Sequence, residues 1–96
     1  MVFIILKTNK TLTLKQQRSL KECLSELFIQ FDVMIQFETS QVIYLNKKMK
    51  DCVKVNCIFD HINLSNQDEY RIKIIDYISS VTLIEKDYIF VSIQVI

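Results

Sequence analysis

Apolar and polar positions alternate along this chain in two distinct rhythms. Val2 to Lys7 is a short β-branched run, the pattern of a strand buried on both faces. Asn9 to Thr13 is polar and turns the chain. Thr13 and Gln16 stand at capping-box spacing, so a helix is expected to begin there. Leu20, Leu24, Leu27, Phe28 and Phe31 then recur at helical period, with Lys15, Arg18, Lys21, Glu22 and Glu26 mainly opposite. The period switches at Val33, Ile35 and Phe37, which alternate with Met34, Gln36 and Glu38 and predict a second strand.

Val42 to Leu45 is a further short extended piece, and Asn46 to Asp51 a polar turn in which Asn46 best suits a left-handed backbone. Cys52 to Phe59 is the next main strand, with Cys52, Lys54 and Asn56 on one face and Val53, Val55 and Cys57 on the other. Asn66 and Glu69 repeat the capping-box spacing ahead of Tyr70, Ile74, Tyr77, Ile78 and Val81, flanked by Ile75. Glu85 to Asp87 interrupts, and Tyr88 to Ile96 is the last strand. A strand–helix–strand unit is thus used twice, each helix long enough for a right-handed crossover between parallel strands. The expected fold class is α+β: one domain, residues 1–96, a two-layer sandwich of a four-stranded mixed sheet with both helices on one face. First and last strands read as apolar on both sides, yet two helices cover one. A bare apolar face is rare on a monomer, so self-association is expected.

Composition narrows the chemistry. The chain contains neither glycine nor proline. Phosphate-cradling loops, dinucleotide-binding turns and nucleophile elbows all need glycine and are excluded. So is any catalyst built on an N-terminal proline amine. A net charge of +1 gives no field for nucleic acid or an anionic membrane. No apolar run is long enough to span a bilayer, and Met1 to Leu6 lacks the features of a signal peptide, so synthesis in the cytoplasm is expected. Cys23, Cys52 and Cys57 fit no zinc-ligand spacing. On one strand Cys52 and Cys57 would lie about 16 Å apart, too far for a disulfide. Buried free thiols are expected, with no metal and no cofactor.

Other chemistry-bearing groups are weak signals. His61 follows Asp60 but has no serine or cysteine partner at a recognisable spacing. Lys47, Lys48 and Lys50 read as a solvated turn. Tyr44, Tyr70, Tyr77 and Tyr88 lack the basic interleaving of a base-stacking platform. Glu85 and Asp87 flank Lys86 in a turn rather than forming a catalytic pair.

Taken together, several segments resemble the tautomerase superfamily, in its macrophage migration inhibitory factor (MIF) branch. The start, Met1-Val-Phe-Ile-Ile-Leu-Lys-Thr-Asn9, is similar to the family's first strand and its Thr-Asn ending. Leu20 to Leu27 resembles the first helix, and Ser40-Gln-Val-Ile-Tyr-Leu45 with Cys52-Val-Lys-Val55 the segment joining the halves. Asn66 to Val95, with Tyr70 and the acidic turn before Tyr88, is similar to the second helix and its following strand.

The resemblance implies a trimer, with an active site at the first residue. Active members use the secondary amine of an N-terminal proline as base. Val2 stands in that place, and once Met1 is trimmed it would offer only a primary amine, with a reference pKa near 8. The family's lysine between first helix and second strand has no counterpart from Phe31 to Met34, while Phe37-Glu38 would bring an acid nearer the site. Asn46-Lys47 replaces the family's glycines, and the aromatic of the cleft falls near Ile89. Ile62 is the loose match for the apolar cleft residue. The resemblance ends at Ile96, where members usually continue into a tail at the subunit interface.

Three functions follow. The first is a MIF-like pseudoenzyme that binds protein: a cytokine mimic or modulator of host MIF, of parasite or viral origin, acting as a homotrimer or in mixed trimers with a relative and reaching a receptor by leaderless secretion. The second is a weak keto–enol tautomerase using the Val2 amine. The third is a ferredoxin-like binding module, in which another strand would separate strands one and two.

Overall fold

A computed structural model describes residues 1–39, 50–60 and 67–96. In chain order it contains β1 (Val2–Thr8), α1 (Leu14–Leu27), β2 (Val33–Thr39), β3 (Val53–Phe59), α2 (Gln67–Thr82) and β4 (Ile89–Val95), with a 3-10 turn at Lys86–Tyr88. The capping box forms as the spacing predicts. Thr13 Oγ1 accepts the Gln16 N–H at 3.1 Å, and Gln16 Oε1 accepts the Thr13 N–H at 2.9 Å. Two backbone donors that no helical carbonyl can reach are thereby satisfied.

The sheet runs β2-β1-β3-β4. β1 pairs with β2 in parallel and with β3 antiparallel, and β3 pairs with β4 in parallel. Because β1 and β2 are direct parallel neighbours, the ferredoxin-like alternative is excluded. The fold class is the two-layer α+β sandwich the sequence predicts. One face of the sheet supplies the core: Val2, Ile4 and Leu6 of β1 and Val53, Val55, Cys57 and Phe59 of β3 are buried with Leu20, Leu24, Ile74 and Ile78 of the helices.

The opposite face is ordered in rows by the register. Met34, Phe3 and Ile58 lie side by side at one end, with Gln94 of β4 completing the row. The middle row is Gln36, Ile5, Asn56 and Ser92, and the far row Glu38, Lys7, Lys54 and Phe90. The bare face is therefore apolar at one end only. The expectation that the last strand is apolar on both sides is corrected: Ser92 and Gln94 are exposed there, because β4 alternates rather than running apolar throughout.

Three boundaries also differ. α1 ends at Leu27, so Phe28 and Phe31 complete the apolar stripe from the turn beyond it. Tyr88 belongs to the 3-10 turn, and β4 starts at Ile89. Cys52, expected on the Lys54 face of β3, precedes the strand and is buried. Its backbone is held from both sides: Thr8 Oγ1 donates to its carbonyl at 2.8 Å, and its N–H donates to Asn9 Oδ1 at 2.9 Å. All three cysteines are free thiols. The proposed extended piece Val42–Leu45, the Asn46 turn, Lys47, Lys48, Tyr44, His61, Ile62 and Asn66 lie outside the described residues.

Candidate functional site

The Val2 end of the sheet is where the family resemblance would place a reacting amine. Register sets Val2 between Val33 of β2 and Phe59 of β3. Its side chain is fully buried in the helix-facing core. Its backbone N–H donates to the Asp32 carbonyl at 2.8 Å, while the Asp60 N–H donates to the Met1 carbonyl at 3.2 Å. The Ile96 N–H donates to the Phe59 carbonyl at 2.9 Å, closing the same end.

A cluster of rings supports this end from below. Phe28 meets Phe59 edge-on at 5.4 Å between centroids and Tyr70 at 5.1 Å, and Phe31 meets Phe59 at 6.0 Å. Such contacts fix ring orientations beyond what area burial alone does.

The charges around Val2 have a definite sign. The residues hydrogen-bonded across it, Asp32 and Asp60, are both acidic and both exposed. Glu38, expected near the site, is not beside Val2. It pairs with Lys7, five positions along β1, which the strand rise puts about 16 Å away, and the two side chains form an ion pair at 3.5 Å. Parallel pairing carries β2 away from Val2 as the chain advances, which the spacing alone did not reveal. Ile89 is buried at the start of β4, the opposite end of the sheet from Val2. Sequence reasoning missed Asp32 as a contact of Val2; the available signal was that a parallel partner starting at Val33 sets the preceding carbonyl against β1.

At that opposite end an open concavity of about 390 Å³ is lined by Lys50, Asp51, Leu83, Ile84, Glu85 and Tyr88. Lys50 Nζ sits 4.9 Å from the centre of the Tyr88 ring. Hydrogen bonding to Tyr88, then the charges of Tyr88 and Glu85, hold the Lys50 ammonium above the ordinary lysine range. Among the described residues no cluster of histidine, cysteine and carboxylate side chains could hold a metal ion. Among them, too, no helix is long and apolar enough to cross a membrane.

No protein-family model matches the chain, and no curated protein does. Solved structures do. The MIF2 protein of Leishmania major superposes with a TM-score of 0.90 at 14% identity, covering 100% of this chain and 89% of that one. The MIF-like protein of Entamoeba histolytica gives 0.80 at 14% identity, covering 99% and 88%. A fused 4-OT, described as a wild-type asymmetric trimer, gives 0.82 at 13% identity over 98% and 85%. The chain therefore shares the fold of these MIF and 4-OT structures, with one strand–helix–strand unit used twice.

Proposed function

We propose that this chain is a divergent MIF-like protein that works by binding other proteins and has given up keto–enol chemistry. The observation that carries this reading is the hydrogen bond from the Val2 nitrogen to the Asp32 carbonyl. The family resemblance calls for a proline amine and a nearby lysine, and this end has Val2 and Asp32 instead. An amine freed there by loss of Met1 would be a primary amine, and donation to the Asp32 carbonyl would favour its charged form, leaving little free base at neutral pH.

The proposed assembly is a trimer of this chain, or a mixed trimer with a relative, its bare sheet face turned toward neighbouring copies. The apolar row Met34–Phe3–Ile58 and the trimeric fused 4-OT of the same fold support it. The proposed role is mimicry or modulation of a host MIF, with cytoplasmic synthesis and leaderless release.

Weak tautomerisation is the second reading; it requires loss of Met1 and surroundings that disfavour the charged form of the Val2 amine. Intact mass of the N-terminus together with a keto–enol assay on an enolisable keto acid separates the two. The expected result is no turnover above background, whether Met1 is kept or lost. Turnover that disappears on blocking the N-terminal amine establishes the enzyme.

A further inference from the structure

Beyond that reading, and independent of it, the far row of the bare face has unmatched charge. Lys7 and Lys54 are directly paired across β1 and β3, an arrangement that disfavours pairing unless a negative group compensates. Lys7 has Glu38 at 3.5 Å. Lys54 is exposed and, among the described residues, makes no ion pair.

Beside Lys54 the surface is hollowed. A concavity of about 100 Å³ is lined by Lys54, Asn56, Phe90 and Ser92 together with Val55 and Val91. That is well below the size of a drug-binding cleft, room for a small group only. Ser92 Oγ donates to Asn56 Oδ1 at 2.6 Å, which occupies the amide oxygen and leaves the amide N–H groups to donate outward. The wall of the hollow is largely apolar, with the Lys54 ammonium, the Asn56 amide and the half-exposed Phe90 ring at it and no carboxylate in its lining.

We propose that Lys54 and Asn56 form a site for a phosphate-sized oxyanion on the open face of the sheet. The row lies four residues along β1 from the apolar row of Phe3, about 13 Å by strand rise, so copies meeting through the apolar row leave it at the rim. Charge-assisted hydrogen bonds to the oxyanion supply the affinity.

Titrating the full chain with inorganic phosphate at constant ionic strength, followed by amide NMR, tests this. Saturable shifts are expected at Lys54, Asn56 and Ser92. Lys54→Gln is expected to weaken binding at least about tenfold, Asn56→Asp to abolish it, and Lys15→Gln on α1 to leave it unchanged. Shifts that never saturate, or that persist undiminished in Lys54→Gln, overturn the site. A folded Asn56→Ala chain that binds as well as the parent overturns it too.

Discussion

The Val2 nitrogen and the Asp32 carbonyl lie 2.8 Å apart, joining the first residue of β1 to the residue just before β2. This one bond commits the end of the sheet in two ways. It fixes where the parallel pairing begins, and it sets a carbonyl acceptor against the nitrogen that loss of Met1 would free, which favours that amine's charged form over the free base. The neighbouring bond, from the Asp60 N–H to the Met1 carbonyl at 3.2 Å, extends the β1–β3 ladder by one residue. Removing Met1 deletes that acceptor. A chain beginning at Val2 is expected to be less stable by about 0.5–1.5 kcal/mol, read from the shift in urea midpoint between the two forms.

Thr8 and Asn9 tie the end of β1 to the approach to β3. Thr8 Oγ1 donates to the Cys52 carbonyl at 2.8 Å and accepts the Lys10 N–H at 3.1 Å, while Asn9 Nδ2 donates to the Lys50 carbonyl at 2.7 Å. Thr8→Val keeps the shape but strands the buried Cys52 carbonyl. A loss of about 1–3 kcal/mol is expected in denaturant melts. A change below experimental error would mean that the bond contributes nothing.

With no glycine available, α2 ends on a leucine in the left-handed region: Leu83 has φ of 63° and is exposed. Its N–H still reaches the Ser79 carbonyl at 2.9 Å, and the Thr82 hydroxyl accepts the Ile84 N–H at 3.3 Å. The Cβ clash in this conformation costs about 1–2 kcal/mol, of which glycine returns part through its own chain entropy. Leu83→Gly is expected to raise stability by about 0.5–1 kcal/mol in thermal melts, against the usual direction for glycine substitutions.

Burial pushes the Cys57 thiol up to about 12. The unfolded chain ionises this thiol near its ordinary value of about 8.5, while the folded chain keeps it protonated. Its contribution to stability is thus complete below that value and is lost as pH rises toward the folded one. The slope reaches at most about 1.4 kcal/mol per pH unit. Denaturant melts at pH 8, 9, 10 and 11 are expected to show a decline that Cys57→Ala reduces by that amount. In the native protein Cys57 resists thiol reagents at pH 8, while the half-buried Cys23 is the more accessible thiol.

The element order, the capping box at Thr13 and the helix-facing core were legible because each depends on local spacing: a hydroxyl three residues before an amide, or leucines at helical period. What escaped was set by pairing across the sheet. Asp32 became a neighbour of Val2, and Glu38 a partner of Lys7, only through the parallel register. Cys52 left the strand because Thr8 and Asn9, more than forty residues earlier, hold its backbone. Leu83 carried no signal, since the usual mark of a left-handed helix end is the glycine this chain lacks. The half-polar character of the bare face also needed register, which lines up Asn56 with Ser92 and collects Phe3, Met34 and Ile58 into one row.

The solution mass of the purified chain, by light scattering across a range of concentrations, bears most directly on the claim that the apolar row is covered by further copies. A mass three times that of the chain is expected, falling to that of a folded single chain when Phe3→Glu places a charge between Met34 and Ile58. A parent protein that stays a single, stable chain at every concentration would contradict it.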